Sequence, residues 1–147
     1  MQHRHQILLV EDNKADLFLI REAISGANVQ ADLHVANDGE TAVRFIDAAD
    51  SDETAPCPAL ILLDLNLPKI SGVEVLQHIR RSHKCSDSLI LIVTSSDSQN
   101  DRRATTQLGI DGYFRKPSSY DAFCKIGEIV KELLARPPET PPSVDWH

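Results

Sequence analysis

Three things are scarce in this sequence, and each scarcity closes off a class of protein. Cysteine is the first: Cys57, Cys85 and Cys124 are odd in number and widely spaced, so neither a disulfide framework nor a zinc site is suggested. Basic clusters are the second. Lys and Arg number 15 against 22 Asp and Glu, for a net charge of −7, whereas nucleic-acid binders need clustered cations on the phosphates. The only basic pairs, Arg80-Arg81 and Arg102-Arg103, suit exposed helix faces. Long apolar runs are the third. None approaches the roughly 20 residues that span a bilayer, and the N-terminus enters a strand within a few residues, without a signal peptide. The expectation is a cytoplasmic protein that binds neither membrane nor nucleic acid. The six histidines (His3, His5, His34, His78, His83 and His147) are scattered and predict no metal or phosphodonor site.

What is present is orderly. With 147 residues, 41% hydrophobic and 25% charged, the chain can bury one domain's core without staples. Apolar periodicity divides it. Residues 7–10 are a short apolar strand, and Leu17, Ile20 and Ile24 recur at helical spacing within residues 16–24. Residues 32–36 alternate as a strand; residues 39–49 read as a helix with Asp38 as its N-cap. Beyond the polar loop "DSDETAPCP" come a strand over 60–67, a helix over 72–82 and a strand over 89–93. A polar helix over 99–108 and a short strand over 113–115 follow, and a last helix over 119–135 puts Phe123, Ile126, Val130 and Leu133 on one face. Ser71-x-x-Glu74, Ser98-x-x-Asp101 and Ser118-x-x-Asp121 fit capping boxes ahead of three helices.

Strand and helix thus alternate five times, and the central strands are apolar throughout. That pattern predicts an α/β fold: a doubly wound five-stranded parallel sheet with five helices on its two faces. The domain is expected over residues 1–136. The final "RPPETPPSVDWH" holds four prolines among twelve residues and cannot continue a helix, so residues 137–147 read as a Pro-rich tail.

One residue breaks the pattern. Asp64 interrupts the apolar run over 60–67, where an unpaired carboxylate is costly to bury. In a sheet of order 2-1-3-4-5, ligands bind beyond the carboxyl ends of strands 1 and 3, where strand order reverses. Strand 1 ends in Glu11-Asp12 and strand 3 in Asp64. Carboxylates that close cannot all stay ionised without a cation, and an all-oxygen cluster suits Mg²⁺. Strand 4 adds the hydroxyl of Thr94 and strand 5 the ammonium of Lys116 at the same edge. Acids, a metal, a hydroxyl and a lysine around one carboxylate make a site for a phosphoryl group, with Asp64 as its nucleophilic acceptor.

These residues resemble those of the receiver domains of two-component response regulators. The resemblance runs from Ile7 to about Leu134. It rests on "LLVEDN" with Glu11-Asp12, "LLDLNLP" followed by "SG" with Asp64, Pro68 and Gly72, "IVTSS" with Thr94, and "YFRKP" with Lys116-Pro117. Thr94 and Lys116 follow Asp64 by 30 and 52 residues. The resemblance implies a flavodoxin-like fold. Asp12, Asp64 and the backbone carbonyl of Asn66 would hold Mg²⁺, with Glu11 acting through water. Asp64 would accept phosphate from a phosphohistidine on a sensor histidine kinase, and Thr94 and Lys116 would bind phosphoryl oxygens. Tyr113 occupies the aromatic position that changes rotamer with the threonine, which switches a surface on helix 4, strand 5 and helix 5. The Lys-Pro bond is often cis in this family.

More finely, "ILLVEDN", "ADLFLIREA", "LILLDLNLPKISG" and "SLILIVTSS" resemble the stand-alone regulators of phytochrome-type photoreceptor kinases, the bacteriophytochromes among them. That implies a homodimer through helix 4, strand 5 and helix 5, although the polar "SQNDRRATTQLG" offers little apolar area and leaves Tyr113 and the last helix to supply a seam. Ser95 departs from the Ala or Gly usual at its position. Two rivals stand beside this reading. An aspartate-nucleophile phosphatase needs a second acid two residues after the nucleophile, where this chain has Asn66. A constitutive receiver-like interaction module would have lost an acid, the lysine or the hydroxyl, and none is lost. The expectation is therefore a signalling switch, not an enzyme, catalysing only its own phosphorylation and slow dephosphorylation.

Overall fold

Each of five short strands leads into a helix in the computed structural model, which describes residues 4–136; the Pro-rich segment at 137–147 lies outside them. The order is β1 (His5–Val10), α1 (Lys14–Gly26), β2 (Ala31–Ala36), α2 (Gly39–Ser51), β3 (Leu60–Leu63), α3 (Gly72–Arg80), β4 (Leu89–Thr94), α4 (Gln99–Leu108), β5 (Gly112–Arg115), α5 (Tyr120–Phe123) and α6 (Lys125–Leu134). All strands are parallel, in the order β2-β1-β3-β4-β5.

The middle strands are apolar throughout because both faces are covered. Side chains alternate across a strand, so Leu8, Val10, Ile61, Leu63, Ile90 and Ile92 join the core under α2 and α3. Their neighbours Ile7, Leu9, Leu60, Leu62, Leu91 and Val93 join a second core with residues of α1 and α6. The expected face of the last helix, Phe123, Ile126, Val130 and Leu133, is fully buried there. Gly127 lets α6 lie against the backbone of α1, since a Cβ would meet the Ala23 carbonyl oxygen at 2.2 Å.

Several boundaries differ from the sequence reading. The strand over 60–67 stops at Leu63, because the Asn66 N–H turns back to Asp64 Oδ1 at 3.1 Å and ends the ladder. The helix over 72–82 ends at Arg80. The helix over 119–135 divides at Cys124, where the Gly127 N–H reaches Cys124, three residues back, at 3.1 Å. Its N-cap is Ser119, not Ser118, and accepts from the Ala122 N–H at 3.1 Å. Asp38, Ser71 and Ser98 cap α2, α3 and α4 as expected.

The reading of the cysteines is overturned. Cys57 and Cys85 form a disulfide with their Cα atoms 5.4 Å apart. Their separation of 28 residues conceals what topology does: β3 and β4 are parallel neighbours with Leu60 opposite Leu89, so the loops entering them lie side by side. Lys84 fastens the same loops, its ammonium donating to the carbonyls of Ala49 (3.2 Å), Asp52 (2.9 Å), Glu53 (3.3 Å) and Ala55.

Candidate functional site

Sheet register builds the site. Val10 pairs with Leu63, and the Asp64 N–H donates to the Val10 carbonyl at 3.1 Å. Glu11 and Asp64 therefore emerge together at the carboxyl ends of β1 and β3. Glu11 is 2% exposed and Asp64 5%, while Asp12 faces solvent. One oxygen from each of these carboxylates lies within 4.8 Å of the others. At the next edge Thr94, fully buried, pairs with Arg115. The Lys116 N–H donates to the Thr94 carbonyl at 2.8 Å, which delivers the lysine side chain to the crevice.

Lys116 Nζ lies 2.9 Å from Asp64 Oδ2, 2.8 Å from Glu11 Oε1 and 2.7 Å from Asp16 Oδ2. Burial alone would lower the pKa of this ammonium, but hydrogen bonds to Asp16 and Asp64 and the adjacent Glu11 carboxylate outweigh it and hold Lys116 charged. Glu11 moves the opposite way for a carboxylate. Burial and the nearby Asp64 charge push it up to about 7, against the opposing pull of Lys116 and the Asn13 N–H. Its Oε1 has a charge partner in Lys116 but no directed donor, for it is buried without a hydrogen bond. An oxygen-only donor set that includes such an orphaned atom fits a hard divalent cation such as Mg²⁺ or Mn²⁺.

Asp16 and the N-cap Asn13 are the site residues that sequence reasoning missed. An acid in a helix's first turn is favourable on dipole grounds alone, so Asp16 carried no separate signal. Its place four residues after Asp12, on the helix that leaves the acid pair, was the available clue. Asn13 Oδ1 accepts from the Asp16 N–H at 3.0 Å and fixes that first turn.

On the β3–α3 side the chain turns through Asn66, and the Gly72 N–H reaches the Leu65 carbonyl at 3.0 Å. A Cβ on Gly72 would lie 2.2 Å from the Asp64 carbonyl oxygen, so only glycine lets α3 start this close to the acid. On the β4 side Thr94 Oγ1 accepts from the Ser96 N–H at 3.3 Å. The Ser96 carbonyl accepts from the Tyr113 hydroxyl at 2.9 Å. Tyr113 is 3% exposed, with the Arg102 guanidinium 4.3 Å above its ring. Burial raises its pKa and keeps the phenol a donor. It therefore offers little area to an apolar dimer seam. The Lys116-Pro117 bond is trans, and there is no cis peptide among the described residues.

The response regulator receiver domain family matches residues 7–127. This chain belongs to it. The receiver is 37% identical to the response regulator Rcp1 of Synechocystis sp. over 110 residues, 75% of each chain. It superposes on the phosphorylated cyanobacterial phytochrome response regulator RcpA with a TM-score of 0.81 at 31% identity, covering 90% of this chain and 96% of that one. For the Mn²⁺-bound form of Rcp1 the TM-score is 0.80 at 32% identity, covering 95% and 99%. Asn66 stands two residues after Asp64, where an aspartate-nucleophile phosphatase carries its second acid. Among the described residues no helix is long and apolar enough to cross a membrane.

Proposed function

We propose that this receiver takes a phosphoryl group onto Asp64 from a phosphohistidine on a sensor histidine kinase of the phytochrome type. The carrying observation is the buried Asp64 carboxylate, held 2.9 Å from Lys116 within a cluster of acids. An Asp64 oxygen attacks phosphorus, the phosphorus–nitrogen bond to the donor histidine breaks, and its electron pair stays on the imidazole. Asp12, Asp64 and the backbone carbonyl of Asn66 would hold Mg²⁺, with Glu11 acting through water, and the ion would offset negative charge on the phosphoryl oxygens. Lys116 accompanies one of these oxygens and the Thr94 hydroxyl donates to another. Because the Ser96 backbone joins Thr94 to Tyr113, inward movement of Thr94 pulls on the α4–β5 face and changes what that face presents. Hydrolysis of the acyl phosphate resets the switch, and no external substrate is turned over.

The phytochrome assignment draws on the likeness to RcpA and Rcp1 and on the motifs of the first strand and helix. Pairing of two copies through α4, β5, α5 and α6 would meet a polar face: within the chain Asp97 lies 3.4 Å from Arg102 and 3.3 Å from Arg115, and the buried Tyr113 adds no apolar seam.

The deciding test incubates the protein with acetyl phosphate and Mg²⁺ and reads intact mass. The expected result is one phosphate adduct on the wild type and none on Asp64→Asn. A wild type without adduct, or an undiminished adduct on the variant, defeats the proposal. A phosphotransfer panel of sensor kinases tests the photoreceptor link, which fails if a kinase of another class is the faster donor.

A further inference from the structure

Resting on that reading of the site, we infer that Asp16 is a positioning residue: it anchors the Lys116 ammonium through the phosphorylation cycle. The ammonium meets three carboxylates, and Asp16 is nearest, at 2.7 Å against 2.8 Å for Glu11 and 2.9 Å for Asp64. Only the contacts to Asp16 and Asp64 have hydrogen-bond geometry; the Glu11 oxygen has none.

The three partners differ in what the reaction does to them. Glu11 and Asp64 belong to the acid cluster with Asp12, and Asp16 does not. Binding of a cation draws on Glu11 and Asp64. Transfer of the phosphoryl group then turns the Asp64 carboxylate into an acyl phosphate, whose carboxyl oxygens no longer carry the charge that held Lys116. Two of three anchors are thus spent during the reaction they assist. Asp16 lies outside that cluster and keeps its place beside Lys116 throughout.

Its own position is well fixed. Asp16 sits in the first turn of α1, its N–H tied to the Asn13 cap, and its side chain is 24% exposed against 10% for Lys116. Solvent therefore reaches Asp16 while the ammonium stays mostly sheltered. A lysine stem has four rotatable bonds, and confining its tip to one spot beside Asp64 removes an ordering cost that phosphoryl transfer would otherwise meet. Asp16 acts through Lys116 alone.

The test compares Asp16→Ala and Asp16→Asn with the wild type, with folding of each checked by thermal melt. Asp16→Ala is expected to lower the maximal rate of phosphorylation by acetyl phosphate about tenfold while leaving the half-saturating phosphodonor concentration unchanged. Asp16→Asn keeps an acceptor oxygen and should recover to within about threefold of the wild type. Mg²⁺ affinity, titrated without phosphodonor, should stay within about twofold in both. In the metal-free protein the Lys116 ammonium NMR signal should be sharp in the wild type and broaden in Asp16→Ala. Rates in both variants within about twofold of the wild type would overturn the inference, as would a fall in Mg²⁺ affinity matching the fall in rate, which would make Asp16 a metal ligand. If Asp16→Ala does not fold, Asp16→Asn with a wild-type ammonium signal and a tenfold slower rate overturns it too. A wild type that takes up no phosphoryl group defeats the reading of the site itself, a different failure from a phosphorylated wild type that Asp16→Ala equals.

Discussion

Reduction of the Cys57–Cys85 bond should lower the stability of this protein without touching its site. The bond closes a segment of 28 residues, and in the chain-entropy account a loop of that length contributes about 3.5 kcal/mol by restricting the unfolded chain. The folded loops have other fastenings: four carbonyls on the Lys84 ammonium and a 2.7 Å bond from the Ser88 hydroxyl to the Pro58 carbonyl. Cleavage should therefore leave the native structure in place and act through the unfolded state. For a domain of this size 1 kcal/mol moves Tm by roughly 2–4 °C, so a fall of about 10 °C is expected. The assay is a thermal melt by circular dichroism with and without dithiothreitol. Alkylation should count one free thiol before reduction, Cys124, and three after it. A Cys57→Ala/Cys85→Ala variant should melt near the reduced wild type and ignore the reductant. Acetyl phosphate should modify both redox forms at the same rate, since the bond lies at the strand entrances and Asp64 at their exits. Alkylation that proves the bond open while Tm falls by less than about 3 °C would refute the reasoning. So would a second free thiol in the unreduced protein.

Gly72→Ala should destabilise the fold by about 3 kcal/mol in urea titration, because its Cβ has 2.2 Å to the Asp64 carbonyl oxygen and 2.5 Å to the Leu65 Cα, both backbone atoms that yield poorly. The same variant should phosphorylate more slowly as α3 is pushed off the acid; unchanged stability would contradict the close approach. In the metal-free protein Glu11 titrates near 7, up from 4.5. The folded state therefore holds a proton the unfolded chain releases, and stability should fall as pH rises through that window. Glu11→Gln should flatten this slope, and melts across pH 4.5–7.5 that superpose for variant and wild type would count against it.

How far the sequence carried the argument depends on the type of signal. Two-sided burial of Leu60 to Leu63 writes itself as an uninterrupted apolar run, so a covered parallel sheet could be reasoned from the pattern, while the meeting of Glu11, Asp12 and Asp64 followed only once the order 2-1-3-4-5 was assumed. The run misled at its end: Leu65 is buried by packing, not by pairing, and apolarity does not separate the two. Ser119 and Ser118 are chemically identical, and only backbone geometry chooses between them. Cys57 and Cys85 illustrate a third limit, since parallel crossovers bring together residues whose spacing along the chain carries no framework signature. Asp16 was hidden for the opposite reason. A first-turn acid already has a sufficient local cause, so a second and more distant partner left no trace in the pattern.

The bond from Lys116 to Asp16 joins residues 100 positions apart, and that distance bears on how the molecule is made. Synthesis delivers β1, α1 and β3 long before β5. Until the last strand docks on β4, the acids from three separate segments share a crevice with no ammonium among them, and mutual repulsion works against closing it. A nascent chain that stops short of residue 116 thus carries a built-in penalty on premature compaction at the sheet's carboxyl edge. The penalty eases when the last strand brings the ammonium among the acids, ahead of the docking of α6 on α1.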